Sequence, residues 1–350
     1  MKPFLPVATV ALFFGLCTQS ANAGGRTDAA SPAYPYAETG TFQSFVAESF
    51  RVAGARNPAT AAHSFFAYMG SAIPASMDAA KPRLSRIANV KERASAERAL
   101  CVNLHKAIKK QSPRFSLDRG FEFANTVKRG ERQCFLQSVV IASLLQRAGV
   151  PAGVVMVSRN ERGAYCNNGH AVTVARLADG TDIIVDASDP TPFMTHRGLM
   201  VRVPALGGYA YVEPVYDAAH RITAYRSLRG KTTLAPPAIA LLDVPFLRSQ
   251  FTYYRGERTP GGLFTPPLVQ PAGLARSETW LKQSVSECPQ NPLAVYMLGR
   301  VQERQGNRAA AKRSYSDAYA LYTRYGWVPD EETRALAAIK AKTSPVVTAP

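Results

Sequence analysis

The sequence predicts an α+β protein in which a central run of short strands is flanked by helical segments. Three observations predict this class. An apolar period typical of a buried helix runs through residues 134–148. Short apolar strands separated by turn residues follow between residues 154 and 228. The helical period then returns between residues 273 and 345.

Residues 1–23 have the pattern of a secretory signal peptide. Lys2 supplies the basic start, an apolar stretch follows, and small residues at Ala21 and Ala23 mark a cleavage site. We therefore expect an exported bacterial protein, either periplasmic or secreted. The apolar stretch is too short for an anchor, and no later stretch has the length and apolar character of a transmembrane span.

The segment after the signal is predicted to be a loose leader over residues 24–42, and the first domain is predicted to cover residues 43–229. From its start to Lys110 the pattern is helical. It is clearest from Ala94 onward, where apolar side chains recur along one face.

Residues 134–148 are so strongly apolar that we expect their helix to be buried on most sides. Gly149 and Pro151 end it, since glycine adopts the left-handed conformation and proline cannot continue a helix. Cys134 then lies in the first turn, where free N–H groups and the helix dipole favour a thiolate. Taken alone, such a cysteine is more often a small buried apolar residue.

A β-hairpin follows a short buried strand at residues 154–157. His170 begins its first strand, Ala178-Asp179-Gly180 forms the turn, and Asp186 ends its second strand. Cysteine, histidine and aspartate are the nucleophile, the base and the orienting group of a thiol triad. The sequence therefore predicts a candidate catalytic site.

The length of the hairpin loop decides whether His170 and Asp186 can meet. Side chains alternate between the two faces of a strand, so a strict two-residue loop at Asp179-Gly180 would place them on opposite faces. An odd number of loop residues, or a bulge, places them on the same face. We expect a three-residue loop or a bulge.

Residues 95–190 resemble the core of the transglutaminase-like superfamily of papain-related cysteine enzymes. The resemblance rests on a helix led by cysteine, Leu-Leu-x-x-Ala-Gly-Val-Pro-Ala at its end, then Gly-His-Ala-Val and Val-Asp-Ala-Ser on the hairpin strands. It implies a papain/transglutaminase-like core, a nucleophile helix packed on an antiparallel sheet. It also implies Cys134 as nucleophile, His170 as general base and acid, and Asp186 as the orienting carboxylate.

Alternatives and departures accompany this assignment. Asp189 is the runner-up carboxylate, and His196 is a weaker candidate for the base. Val172 stands where the family often has tryptophan. The backbone N–H of Cys134 is one candidate oxyanion donor, and the second donor is unassigned.

The chain beyond Asp186 is predicted to form a second hairpin between residues 207 and 228, which extends the antiparallel sheet. Residues 230–272 are rich in proline and are predicted to be a linker or an irregular wrap. Apolar residues within this stretch indicate that part of it packs on the domain.

Residues 273–345 are predicted to form a helical domain. Asn291 to Tyr325 resembles one tetratricopeptide repeat, with small and aromatic residues at the repeat's positions: Leu298, Gly299, Gly306, Ala311, Tyr315 and Ala318. Because one repeat cannot bury its own face, we expect it to dock on the first domain, on a second copy or on a protein partner.

The chain is strongly basic, with a formal net charge of +17. Its Lys and Arg residues are scattered, which favours a role in solubility slightly over contact with an anionic surface. Nucleic-acid binding is not predicted, because an exported chain without a recognition motif is a poor candidate. Neither metal-ligand spacing nor a phosphate-binding glycine loop is found, so no cofactor and no metal, calcium included, is expected.

Four cysteines follow the signal: Cys101, Cys134, Cys166 and Cys288. Export permits disulfides. A Cys134–Cys166 disulfide that silences the site is one hypothesis, and Cys166 bonded to Cys101 or unpaired is the favoured alternative.

The resemblance implies an exported cysteine enzyme that acts on amide or peptide bonds of a protein or peptide substrate. Hydrolysis, as in a protease, is favoured slightly over cross-linking acyl transfer. The alternative is an inactive scaffold of the same family whose tetratricopeptide-like repeat binds a protein partner in the cell envelope.

Overall fold

The computed structural model describes residue 36 and residues 40–71, 77–230, 232–264 and 268–343. The predicted signal peptide and most of the predicted leader lie outside these residues. The described part of the leader is not loose, because Tyr36 is buried with its hydroxyl donating to the Leu242 carbonyl at 2.7 Å, and the first helix begins at Gly40. Helices surround a central group of antiparallel strands, so the predicted α+β class is confirmed.

The first part of the described chain is helical, as predicted. It divides into α1 (Gly40–Val52), α2 (Pro58–Ser71), α3 (Met77–Ser85) and α4 (Val90–Gln111). Helix α4 begins at Asn89, whose side chain accepts the backbone N–H groups of Lys91 and Glu92. This cap satisfies two donors that an uncapped helix would leave free.

The buried helix predicted after residue 130 is present as α6 (Cys134–Arg147), and every residue from Cys134 to Leu145 is buried. Gly149 has the expected left-handed conformation, with φ of 79°. Before α6 lie a short helix and two short paired strands: α5 (Phe123–Arg129), β1 (Arg114–Phe115) and β2 (Glu131–Arg132).

The strands that follow close into a barrel. They are β3 (Ala152–Arg159), β4 (Tyr165–Arg176), β5 (Asp182–Val185), β6 (Arg197–Val203), β7 (Gly208–Tyr216), β8 (Arg221–Ser227) and β9 (Thr233–Leu234). The order is β5-β4-β3-β6-β7-β8-β9, and an additional pairing of β5 with β8 closes the first six. All these pairings are antiparallel.

The closed barrel extends the prediction in two ways. Both predicted hairpins are present, as β4–β5 and β7–β8. Strand β6 was not predicted, and it lies between β3 and β7. Closure pairs the outer edges of the two hairpins, which removes strand edges that an open sheet would expose. The barrel encloses its own apolar cluster, formed by Val155, Val157, Val172, Val174, Ile184, Leu199, Val201, Val203, Ala210, Val212, Ile222, Tyr225 and Ile239.

The proline-rich stretch contains a helix that sequence analysis missed, α7 (Val244–Glu257). Asp243 caps it by accepting the N–H of Phe246 at 3.1 Å, and a proline lies in its first turn. Proline is tolerated there because the N–H it lacks would have no partner in the helix. The Phe251 ring lies 4.9 Å from that of Phe135, so α7 packs directly on α6.

The C-terminal segment consists of α8 (Pro271–Glu287), α9 (Pro292–Arg304), α10 (Arg308–Tyr325) and α11 (Asp330–Thr343). A Cβ at Gly299 would lie 2.8 Å from the Tyr315 ring, so only glycine lets α9 and α10 approach this closely. The Trp327 ring lies 4.9 Å from that of Tyr211 on β7. Of the docking alternatives, the structure therefore shows contact with the barrel.

Within the described ranges, no helix combines the length and the apolar character that crossing a membrane requires.

Candidate functional site

Cys134 is the first residue of α6 and is 6% exposed. Two hydrogen bonds fasten the start of this helix to β4. The Ser138 hydroxyl donates to the Ala171 carbonyl at 3.0 Å, and the Thr173 hydroxyl donates to the Ser138 carbonyl at 2.9 Å. Because His170 precedes Ala171 on the same strand, these bonds set the position of Cys134 relative to His170.

His170 and Asp186 lie on the same face of the hairpin, as predicted. The Leu177 N–H donates to the Thr181 carbonyl at 2.8 Å, which leaves a three-residue loop. Gly180, the last loop residue, has φ of 83°, a conformation that glycine adopts without strain. The predicted three-residue loop is therefore confirmed. Nε2 of His170 lies 2.8 Å from Oδ2 of Asp186.

Cys134 lies close enough to His170 for its side chain to raise the pKa of the imidazole. Nε2 of His170 is engaged by Asp186, so Nδ1 is the ring nitrogen left to act on the sulfur. The three residues predicted from sequence thus form one connected chain of contacts.

The charges of His170 and Asp186 stabilise one another. Burial alone would lower the pKa of His170, but hydrogen bonds with Asp186 and Cys134 outweigh it and raise that pKa to about 11. Burial alone would raise the pKa of Asp186, but hydrogen bonds from His170 and His196 hold it well below its usual range. An imidazolium and a carboxylate therefore face each other at neutral pH.

Asp189, the runner-up carboxylate, has a different role. Its side chain accepts the Thr191 N–H at 3.0 Å in a local turn. Asp186 is further held by the Ser188 N–H, which donates to Oδ1 at 2.8 Å.

His196 contacts the same carboxylate oxygen as His170, which the sequence analysis did not foresee. Its Nε2 lies 2.8 Å from Oδ2 of Asp186, and the two imidazole rings are 5.2 Å apart. His196 comes directly before β6, the strand that was not predicted. The apolar run after Gly198 was the signal that could have revealed the strand, and with it the histidine.

Tyr254 of α7 is a second residue that sequence reasoning missed. Its hydroxyl interacts with the side chains of Gln133 and Gln250, and the nearby charge of Cys134 contributes to its raised pKa. Burial raises the pKa of Tyr254 well above its usual value, so the hydroxyl stays a neutral donor. The hydroxyl donates to the Gly169 carbonyl at 3.5 Å, and rotation of its O–H bond would redirect the proton to negative charge that develops beside Cys134.

His170, Asp186 and His196 can also be considered as metal ligands. Their ligand atoms all lie within 4.8 Å of one another. Two imidazole nitrogens and a carboxylate oxygen are ligands that zinc accepts. Sequence spacing did not indicate this group, because β-hairpin pairing and barrel closure bring its members together.

Three of the cysteines are free thiols, namely Cys101, Cys134 and Cys288. The hypothesised disulfides of Cys134 and of Cys101 are therefore not formed, and the side chain of Cys166 lies outside the described part of the structure. Burial raises the pKa of Cys101 to about 12 and that of Cys288 to about 11. These two thiols are poor nucleophiles at neutral pH.

No family model matches the chain, and comparison with curated proteins and with solved structures also gave no match.

Proposed function

We propose that the protein is an exported, transglutaminase-like cysteine enzyme with a papain-type core, acting on amide or peptide bonds. Cys134, His170 and Asp186 are its nucleophile, base and orienting carboxylate. The observation that carries the proposal is that His170 lies 2.8 Å from the Asp186 carboxylate and close enough to Cys134 for the cysteine to raise its pKa. Hydrolysis is favoured over cross-linking, because no sequence feature specifies an amine acceptor.

In the proposed reaction, the Cys134 thiolate attacks the carbonyl carbon of the substrate and forms a tetrahedral intermediate. Nδ1 of His170 donates its proton to the leaving amine, the C–N bond breaks, and a thioester remains. Water, deprotonated by Nδ1, then attacks the thioester. The carboxylic acid product departs, and the thiolate and imidazolium are restored.

The oxyanion of each tetrahedral intermediate needs donors. The backbone N–H of Cys134 at the start of α6 is one, and the Tyr254 hydroxyl is our candidate for the second. Asp186 and His196 take no proton in this scheme. The carboxylate orients the His170 ring, and His196 orients the carboxylate from its other side.

Thiol labelling tests the proposal. A substrate-like electrophile should label Cys134 rapidly, and His170→Ala should slow the labelling by at least about 100-fold, the effect expected of a lost base. Cys288→Ala is the matched control and should leave the rate unchanged, because this thiol is buried with a raised pKa. Equal labelling rates for the wild-type and His170→Ala proteins would refute the proposed enzymatic function.

A divalent-metal hydrolase is a second candidate function, favoured by the His170, Asp186 and His196 group. The two candidates predict opposite responses to a chelator. The thiol enzyme keeps its activity in EDTA and loses it on Cys134→Ala, whereas a metal hydrolase loses activity in EDTA and regains it with zinc.

The alternative role as an inactive scaffold makes a separate prediction. In that case a protein partner held by the tetratricopeptide-like repeat remains bound after Cys134→Ala. Export is part of the main proposal, and it predicts a mature protein whose N-terminus follows residue 23, as mass spectrometry of the periplasmic or secreted protein would show.

A further inference from the structure

A pocket lies between the barrel and the C-terminal helices, beside the candidate catalytic site. Its cavity volume is about 60 Å³, and its mouth opens to solvent. One end is lined by Gly169, which precedes His170, and by Gln250, whose side chain interacts with Tyr254. The other end is lined by Trp327 and Glu332. The pocket therefore leads away from the proposed nucleophile toward a distinct chemical environment.

Aromatic rings form the walls of that distant end. The Trp327 ring stands at 75° to the Tyr211 ring, 4.9 Å away, and at 86° to the Tyr322 ring, 6.3 Å away. Tyr296 of α9 also lines the pocket. The edge-to-face contacts pack these rings against one another and fix Trp327 in the lining of the pocket. The π-systems of this aromatic lining can attract a cation.

A buried carboxyl group completes this end. Glu332 is 5% exposed, and its Oε2 has no hydrogen-bond partner among the described residues. Tyr322 interacts with the same carboxyl group, so the group is held in place. Buried polar atoms nearly always have partners. Once the carboxyl group is ionised, this oxygen is an acceptor for a positively charged ligand.

The nearest cation does not fill that role. The Arg300 guanidinium donates to the Tyr296 hydroxyl at 3.2 Å and lies 5.8 Å from the centre of the Tyr296 ring. Its charge lowers the pKa of Glu332, but no ion pair joins the two within the described part of the chain. Glu331 lies beside Glu332 and also lines the pocket, which adds to the negative character of this end.

We propose that this pocket binds the ammonium group of a substrate, as at the end of a lysine side chain, between the ring of Trp327 and the carboxylate of Glu332. The aliphatic part of the ligand lies along the apolar wall toward Gly169. As a substrate subsite, this inference rests on the proposed enzyme, whereas ammonium binding itself does not.

The binding should depend on pH. Burial, with the neighbouring charge of Glu331, raises the pKa of Glu332 to about 8. The other titratable and charged groups that face it are Tyr211, Tyr296, Arg300 and Tyr322. Since an ammonium group needs the ionised carboxylate, affinity should rise as the pH increases from about 7 to about 9.

Tryptophan fluorescence tests the proposal directly. The chain contains 2 tryptophans, so Trp280→Phe leaves Trp327 as the only reporter. Cys134→Ala in the same protein prevents any reaction at the thiol. We expect saturable quenching by Nα-acetyl-lysine amide, and binding at least about tenfold weaker by Nα-acetyl-norleucine amide, which lacks the charge.

Two variants sharpen the test. Glu332→Gln keeps the shape of the side chain and should weaken binding of the lysine probe by about tenfold or more and abolish its pH dependence. Asp317→Asn removes the same charge from an exposed position on α10 and should leave binding unchanged.

Equal affinity for the two probes, absence of saturable binding, or unchanged lysine binding in Glu332→Gln would overturn the proposal. If Glu332→Gln fails to fold by circular dichroism, the comparison of the two probes on the parent protein decides alone. Because this protein lacks the thiol, failure here is separate from failure of Cys134 labelling, which tests the enzyme.

Discussion

Two buried carboxyl groups show how differently one molecule can treat the same chemistry. Asp186 at the barrel is 2% exposed, and Glu332 in the C-terminal pocket is 5% exposed. Two imidazoles hydrogen-bond to Oδ2 of Asp186, whereas Oε2 of Glu332 has no partner among the described residues. The pKa of Asp186 is held well below its usual range, and burial raises that of Glu332 to about 8.

The difference teaches that burial alone does not decide the charge of a group. Desolvation disfavours the charged form at both positions, and only hydrogen bonding from charged partners reverses it at Asp186. In the barrel cluster, Asp186 has its hydrogen-bond partners without a ligand, although Nδ1 of His196 is buried with no hydrogen-bond partner among the described residues. The pocket is incomplete, as a recognition site should be.

The largest expected effect comes from breaking the barrel cluster. Asp186→Asn replaces an oxygen that accepts from two histidines with an amide that cannot hold both. We expect the rate of amide hydrolysis to fall by about 10³-fold or more, because His170 loses its orientation and charge partner. Steady-state kinetics measure this effect. Asp189→Asn is the control, and an equal loss there would remove the special role of Asp186.

Tyr254→Phe removes one hydroxyl beside Cys134 and keeps the ring. We expect kcat to fall by about 100-fold if the hydroxyl stabilises the oxyanion. Tyr253→Phe is the matched control, since its hydroxyl donates to Glu257 at 2.9 Å, away from the sulfur. If the Tyr254→Phe enzyme has a normal kcat, the hydroxyl does not stabilise the oxyanion and the residue serves only in packing.

His196→Gln tests whether the second imidazole is needed. Asp186 keeps its bond with His170, so we expect kcat/KM to fall by only about tenfold, the effect of one lost hydrogen bond to a charged group. The same variant should lose any metal binding by the cluster, measured by isothermal titration with zinc. A loss as large as that of Asp186→Asn would make His196 an equal member of the site.

Loss of the Glu332 carboxyl group in Glu332→Gln should raise stability at high pH, whereas loss of a carboxylate held by partners lowers it. The folded-state pKa of about 8 lies above the ordinary value of 4.5, so Glu332 lowers stability as the pH rises from 4.5 to 8. Removing the carboxyl group should therefore stabilise the protein at pH 8 relative to pH 5 by about 1 to 3 kcal/mol.

Urea unfolding of the wild-type and Glu332→Gln proteins at both pH values measures this difference. Asp186 supplies the contrast. Because its pKa is depressed, its contribution to stability is present above the ordinary value of 3.8 and is lost as the pH falls below it. An identical pH dependence for wild type and Glu332→Gln would contradict the assigned pKa.

Local rules predicted much of the site. The apolar period placed Cys134 at the start of a buried helix, and alternation along the strands required the odd loop that the hairpin has. The same rules failed at α7. There the proline in the first turn was interpreted as a sign of irregular structure, although a helix tolerates proline at that position.

The sequence by itself determined the elements whose signals lie within a few residues of one another, namely the helix that begins at Cys134 and the two hairpins. It also determined that His170 and Asp186 lie on the same face of the first hairpin. Only the tertiary structure decided that the strands close into a barrel, that His196 shares the Asp186 carboxylate, and that Tyr254 lies beside Cys134. The physical reason is the separation in sequence over which each interaction acts. Periodicity and turn chemistry act between near neighbours in the chain, whereas barrel closure and the docking of α7 depend on packing between distant segments.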